Sequence, residues 1–161
     1  MGKIAKTKGL CNLFEAIIVD TVVGYYLLIT GKGGKFVKQW YKLFTIGAYA
    51  MDILSIIVGT YIATRLTKNI YKQILTVIAV GLIHDVSFGM FLNRKKTNSP
   101  VLNIFKKYAN ELGKTILFVD GLMLVSTLLL GYMLEKNLSK SNIIFLGIVI
   151  LYIGLLMVYS F

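Results

Sequence analysis

Apolar residues fall into five runs of about twenty residues, separated by short segments rich in Lys, Asn and Gly. An α-helix rises 1.5 Å per residue, so about twenty residues cross a hydrocarbon core of roughly 30 Å. The runs lack the strict alternation of apolar and polar residues that marks the strands of a membrane β-barrel. The pattern therefore predicts five membrane-spanning helices, at about residues 10–30, 43–64, 71–92, 115–134 and 142–161.

The third connection has a helical pattern of its own. Ser99 is suited to cap a helix, and Pro100 to occupy its first position. Apolar residues follow at spacings of four, three and four, namely Val101, Phe105, Tyr108 and Leu112. We predict an amphipathic helix at about residues 100–112, which either lies in the membrane interface or packs on the ends of the spans.

The composition supports an all-α polytopic membrane protein. The 161 residues are 57% hydrophobic and only 16% charged, far from the averages of soluble domains. The connections are too short to hold a soluble domain, so residues 1–161 are expected to form a single membrane domain. The expected location is an integral position in a membrane.

The charge indicates an interaction with lipid headgroups. The net charge is +11, and ten of the eighteen Lys and Arg residues lie in the first and third connections. This distribution only slightly favours placing those connections in the cytoplasm, but lysines that flank spans commonly contact anionic lipid. No specific nucleic acid is predicted as a partner. Candidate lipid- or partner-binding residues in the third connection are Arg94, Lys95, Lys96, Lys106 and Lys107.

Four of the five predicted spans contain an aspartate. Counted from one side of the membrane, these residues lie about 10 to 14 residues deep, a spread of roughly 6 Å at 1.5 Å per residue. They are Asp20, Asp52, Asp85 and Asp120. His84, the only histidine of the chain, precedes Asp85. The sequence therefore predicts a polar layer near the middle of the membrane.

Energetics require this layer to face inward. An ionised Asp at the centre of a spanning helix costs about 2.5 to 3.5 kcal/mol, so four facing lipid would cost about 10 to 14 kcal/mol. We expect the side chains to point into the bundle and several to be protonated. The layer then serves as a proton or cation site, with His84 as a pH-sensitive partner. Alternatively, each neutral Asp hydrogen-bonds to a neighbouring helix and fixes the assembly.

Internal similarity between the hairpins is faint. The segments VDTVVG, MDILSIIVG and VDGLMLVS each open an apolar run with an Asp that follows Val or Met. This recurrence suggests a duplicated hairpin. The fifth span carries Gly147 and Gly154 but no charge, and is expected to pack outside the polar layer or against another copy of the chain.

Enzymatic motifs are absent from the sequence. The aspartates lack the spacing of a CDP-alcohol phosphotransferase or a prenyl-diphosphate site, and there is no GxGD segment of an intramembrane aspartyl protease. A single Cys, and a single His without a helical partner four residues later, argue against a transition-metal site. We predict no catalytic residue, no metal site and no cofactor.

Four segments carry a resemblance to a known family. AYAMDILSIIVGTYIA, HDVSFGMFLNR, FKKYANELGK and SNIIFLGIVILY resemble an uncharacterised family of small multi-pass membrane proteins of large nucleocytoplasmic DNA viruses. The likeness runs from about Tyr49 to the C-terminus and implies no activity. It implies a location in a virion inner membrane or a host membrane, with viral capsid proteins as partners.

Two hypotheses follow. The first is a proton or cation pathway, or a coupled transporter, that uses the aspartate layer. The second is a structural virion-membrane or assembly scaffold protein whose basic loops contact lipid, capsid or genome.

Overall fold

The computed structural model describes the backbone of residues 2–94 and 99–160, and the side chains of residues 13–93 and 99–160. Within these ranges the chain is all-α, with seven helices and no strand. The helices are α1 (Gly2–Thr30), α2 (Gly34–Phe44), α3 (Ile46–Leu66), α4 (Ile70–Arg94), α5 (Pro100–Leu112), α6 (Lys114–Asn137) and α7 (Lys140–Val158).

Five of the described helices are long and apolar enough to cross a membrane, which confirms a multi-pass, membrane-embedded fold. These segments lie within three residues of the predicted spans at every end. They are Leu13–Thr30, Ile46–Leu66, Ile70–Asn93, Lys114–Asn137 and Lys140–Val158. The helix predicted in the third connection is α5, with the predicted bounds.

The first connection holds a second amphipathic helix, α2, which the sequence analysis did not predict. Its apolar side chains recur at helical spacing and are fully or largely buried, namely Val37, Trp40, Tyr41 and Phe44. The turn into α2 uses Gly31 and Gly34 with φ of 70° and 75°, a conformation that glycine adopts at little cost.

The two short helices lie at the same end of the bundle and pack against each other. The Glu111 carboxylate of α5 accepts hydrogen bonds from the backbone N–H groups of Lys35 and Phe36, both at 3.2 Å. These N–H groups belong to the first turn of α2, where helices leave donors without an internal partner. We call the pair α2 and α5 the cap.

The chain contains two units with the same order of elements. Each consists of a spanning helix, a cap helix and a second spanning helix, α1 to α3 in the first unit and α4 to α6 in the second. In each unit a single residue with positive φ joins the cap helix to the next span, Thr45 at 43° and Gly113 at 53°. An aspartate follows each joint by seven residues, as Asp52 and Asp120. Residues 67–69 connect the two units.

The last helix, α7, packs mainly against α1. Glycine makes this contact close: a Cβ atom at Gly147 would overlap the Phe14 ring, and one at Gly154 would overlap the Tyr49 side chain. The Tyr49 hydroxyl also shares a hydrogen bond of 2.5 Å with Thr21 Oγ1 of α1. Small residues thus let α7 approach the bundle at van der Waals distance, as in many membrane helix pairs.

We expect Gly147→Ala to destabilise the bundle by about 1 to 3 kcal/mol, because the added methyl group collides with a buried ring. Thermal unfolding in detergent, followed by circular dichroism, measures the effect. Gly47→Ala is the matched control, since a Cβ there meets no atom within 4 Å. Adding Phe14→Leu to Gly147→Ala should restore part of the loss. Equal unfolding temperatures for the two Gly→Ala variants would contradict the close α1–α7 contact.

Candidate functional site

A cavity of about 790 Å³ lies among α1, α3, α4 and α6, with the cap at one end. Its lining includes all five residues that the sequence singled out for the polar layer, namely Asp20, Asp52, His84, Asp85 and Asp120. Among the described residues that line it, none comes from α7. The remaining wall is largely apolar and aromatic.

The two units contribute equivalent positions to this cavity. In both α1 and α4 the lining includes the aspartate and the residues three, four and seven positions after it: Asp20, Val23, Gly24 and Leu27, then Asp85, Phe88, Gly89 and Leu92. In both cap helices it includes the residues eight, five and four positions before the joint: Val37, Trp40 and Tyr41, then Phe105, Tyr108 and Ala109. In α4 and α5, the lining residues without a counterpart in the first unit are Val80, Gly81, His84, Val86 and Ile104. In this arrangement VDTVVG corresponds to HDVSFG, a segment that the sequence comparison did not pair with it.

The four aspartates lie at similar distances from the cap ends of their helices. Asp52 and Asp120 each follow the first residue of their helix by six positions. Asp20 precedes the end of α1 by ten and Asp85 the end of α4 by nine. At 1.5 Å per residue, the four carboxyls lie about 9 to 15 Å from the cap ends of their helices.

Asp20 is the most deeply buried of the four. Its exposed fraction is 2%, and within the described part of the chain its Oδ2 atom has no hydrogen-bond partner. The charges of Asp52 and Asp120 act on it from neighbouring helices. An unpartnered ionised carboxylate in such a place is unfavourable, so Asp20 requires a proton or a cation.

Asp52 is held by the cap. The Tyr41 hydroxyl and the Trp40 indole N–H of α2 donate to its Oδ2 at 2.8 and 3.3 Å. Neither Trp40 nor Tyr41 was singled out from the sequence as a partner of the aspartates. Their helical spacing with Val37 and Phe44 was the signal that α2 turns them inward.

Asp85 and His84 form an ion pair at the outer edge of the cavity. His84 Nδ1 lies 2.9 Å from Asp85 Oδ1, with side-chain exposures of 64% and 15% respectively. The pair carries opposite charges only when the histidine is protonated. The His84 ring stacks on the Phe88 ring, with the two centroids 6.1 Å apart.

Tyrosines of the cap face the carboxyl groups. Burial, together with the charges of Asp120, Asp52 and Asp85, raises the pKa of Tyr108 on α5. Burial likewise raises the pKa of Tyr41 on α2, and the charges of Asp52 and Asp20 add to the effect. Both phenols therefore stay neutral well into the alkaline range and remain able to donate a hydrogen bond.

Aromatic rings connect the cap to α4. Phe88 meets Phe105 edge to face with centroids 5.4 Å apart, and Phe105 lies 4.6 Å from Trp40. All three rings line the cavity. We call Trp40, Phe88 and Phe105 the aromatic wall.

The cavity reaches the outer surface along α3 and along α4, where His84 and Val86 are exposed lining residues. Met51, Leu54 and Val58 line it, yet each is between 47% and 57% exposed. They lie within a membrane-spanning segment, so the apolar rim of the opening faces the lipid phase.

A second buried acidic residue lies outside the cavity on α1. Glu15 is 3% exposed, packs against Gly131 of α6, and within the described ranges its Oε1 atom has no hydrogen-bond partner. It precedes Asp20 by five residues on the side away from the cap, a rise of about 7.5 Å.

The basic residues lie on the outer surface of the cap. Lys107 is exposed, with its ammonium group 5.8 Å from the Phe36 ring centroid, and Lys106 is partly exposed. Lys95, Lys96 and the side chain of Arg94 lie outside the described residues. Exposed lysines of α2, which the sequence analysis did not single out, extend the basic surface: Lys35, Lys38 and Lys42.

The acidic side chains surround the cavity rather than converge on one point. Among the described residues, no group of three or more His, Cys, Asp and Glu side chains is placed to hold a metal ion.

Comparison of the chain with family models, with curated proteins and with solved structures gives no match. The geometry of the cavity is therefore the basis for assigning a function.

We expect Tyr41→Phe to lower the free energy of unfolding by about 0.5 to 1.5 kcal/mol, because Asp52 loses a hydrogen bond from a buried donor. Thermal unfolding in detergent measures the loss. Tyr25→Phe, at a half-exposed site, is the control. The effect should shrink when Asp52→Asn is already present; an unchanged effect in that background would argue against the Tyr41–Asp52 contact.

Proposed function

We propose that the protein is a small proton or cation pathway, or a cation-coupled transporter, whose binding site is the aspartate-lined cavity. The observation that carries this proposal is Asp20, which lines the cavity while its buried Oδ2 atom has no hydrogen-bond partner among the described residues. Ionisable residues inside a membrane bundle commonly mark proton or ion routes, because their burial is otherwise too costly to retain.

Electrostatics supports a positively charged occupant. Asp20, Asp52 and Asp120 are close enough for their charges to act on one another, and the charge of Asp85 also acts on Asp120. Such carboxylates cannot all be ionised in an apolar cavity without protons or cations to balance them. Gain of a cation by the cavity therefore favours loss of protons, which is the physical basis of coupled exchange.

Architecture supports the same proposal. Parallel repeated units with a binding site between them are common among membrane transporters. Here the cavity lies between two such units, with one aspartate from each of four spanning helices. Glu15 extends the series of buried carboxyls on α1 toward the end of the bundle away from the cap.

The test is dissipation of proton and sodium gradients in liposomes that contain the purified protein. We expect the wild type to dissipate at least one gradient. A variant with Asn at positions 20, 52, 85 and 120 should fall to the level of empty liposomes, because the neutral amides neither carry a proton nor balance a cation. Glu135→Gln removes an exposed carboxylate outside the cavity and should keep the wild-type rate.

Size-exclusion profiles and thermal unfolding establish that each variant is folded before flux is compared. Equal flux in the wild type and the folded fourfold variant would refute the cavity as the pathway. Absence of flux in the wild type under both gradients would count against conduction of either ion.

A second candidate is a structural protein of a virion inner membrane or a host membrane. The exposed lysines of the cap favour it, since they form a basic surface suited to anionic lipid headgroups, capsid proteins or genome. A homo-oligomer would multiply this surface. This function requires the lysines but not the aspartates.

We expect exchange of Lys35, Lys38, Lys42 and Lys107 to Gln to weaken capture of anionic vesicles by protein held in neutral nanodiscs. The expected loss is about 1 kcal/mol per lysine at the surface, and added salt should imitate it. Co-flotation on a density gradient measures capture, with the fourfold Asp→Asn variant as the control. Equal capture by the Lys→Gln variant would remove the support that the basic surface gives to this candidate.

A further inference from the structure

We infer that the cavity binds a monovalent organic cation with an apolar body, such as a quaternary ammonium or phosphonium compound. This inference rests on the proposed function, because it names the cargo of the same site. Four features of the cavity support it: its size, its unpaired acceptor, its aromatic wall and its opening.

Size argues against a bare metal ion. A cavity of about 790 Å³ lies in the range of small-molecule sites, roughly 300 to 1,000 Å³. Metal ions such as Ca²⁺ or Mg²⁺ take about six or more oxygen ligands at roughly 2.0 to 2.6 Å. No such cluster occurs in the described part of the chain, where the carboxyls are spread around the wall.

The unpaired acceptor supplies the charge recognition. Asp20 lines the cavity and, among the described residues, its buried Oδ2 has no donor, whereas Oδ2 of Asp52 already accepts from Tyr41 and Trp40. A quaternary cation has no N–H to donate and needs only a nearby negative charge. Asp20 provides that charge without breaking any hydrogen bond of the protein.

The aromatic wall supplies the second half of the recognition. Trp40, Phe88 and Phe105 line the same space as Asp20 and Asp52. Aromatic faces attract organic cations, and their rings also pack against apolar substituents. A wall of aromatic rings beside a carboxylate therefore favours binding of a large organic cation over binding of a hydrated Na⁺.

The opening determines the route of entry. Met51, Leu54 and Val58 form an apolar rim on the lipid-facing side of α3. A cation with an apolar body partitions into the bilayer and reaches this rim directly.

The test uses tetraphenylphosphonium as the probe and the emission of Trp40 as the readout, because Trp40 is the only tryptophan of the chain. In maltoside micelles we expect the Trp40 emission to change as tetraphenylphosphonium is added and to reach saturation. Triphenylphosphine oxide, which has a similar apolar body without the charge, should produce none. The double variant Asp20→Asn, Asp52→Asn should weaken binding at least about tenfold, and Glu135→Gln should leave it unchanged.

A measurement on the wild type alone guards against misfolded variants. Dicyclohexylcarbodiimide modifies carboxyl groups in apolar surroundings, and mass spectrometry identifies the labelled residues. We expect tetraphenylphosphonium to slow labelling of Asp20 and Asp52, while triphenylphosphine oxide does not. Equal labelling with and without the cation would overturn the inference.

The outcomes separate the inference from the function on which it rests. Proton or sodium flux without tetraphenylphosphonium binding overturns the organic cation and leaves the pathway standing. Binding that the Asp→Asn pair weakens, without proton or sodium flux, supports the cation site and counts against conduction of protons and sodium ions. Binding of the neutral phosphine oxide with equal affinity means apolar partition and overturns the inference.

A further arm distinguishes a lipid headgroup from a free compound as the source of the cation. Phosphatidylethanolamine carries an ammonium group and phosphatidylglycerol does not. If only phosphatidylethanolamine competes with tetraphenylphosphonium, the occupant is a lipid headgroup. If neither lipid competes, the occupant is a free cation. Equal competition by both lipids would be an effect of the acyl chains and would contradict charge recognition.

Discussion

The fold depends on keeping carboxyl groups away from lipid. Helix α1 carries two of them, Glu15 and Asp20, and both are almost completely buried. A helix with such residues needs neighbours on most of its surface, and α1 packs against α3, α6 and α7. The remaining aspartates stand on helices that surround the same cavity. The arrangement of the bundle therefore follows from where charge can be tolerated.

The spans and α5 could be predicted because each depends on a local pattern. Twenty apolar residues in a row are enough to identify a membrane helix, and Val101, Phe105 and Tyr108 mark a helical stripe. Helix α2 was missed although Val37 and Trp40 belong to the same kind of stripe. Its glycines and lysines resemble a flexible connection, and tryptophan or tyrosine beside a span commonly belongs to an interfacial belt.

The gathering of the aspartates was predictable, but their individual roles were not. Inward orientation follows from the cost of exposing charge to lipid, which acts on each span separately. Whether a carboxyl is satisfied depends on contacts between distant segments: Asp52 gains donors from α2, and Asp20 gains none for its Oδ2 within the described residues. The adjacent residues His84 and Asp85 differ in exposure, one largely exposed and the other largely buried, although their side chains meet at 2.9 Å.

The repeated units place a condition on ancestry. Each unit enters and leaves the membrane on the same side, so residues 67–69 suffice to join two copies without inverting either one. A half-length chain could build the same cavity as a parallel pair, with two identical aspartates from each subunit. In the present chain the two units differ around their aspartates: the first provides the donors that hold Asp52, and the second places His84 beside Asp85.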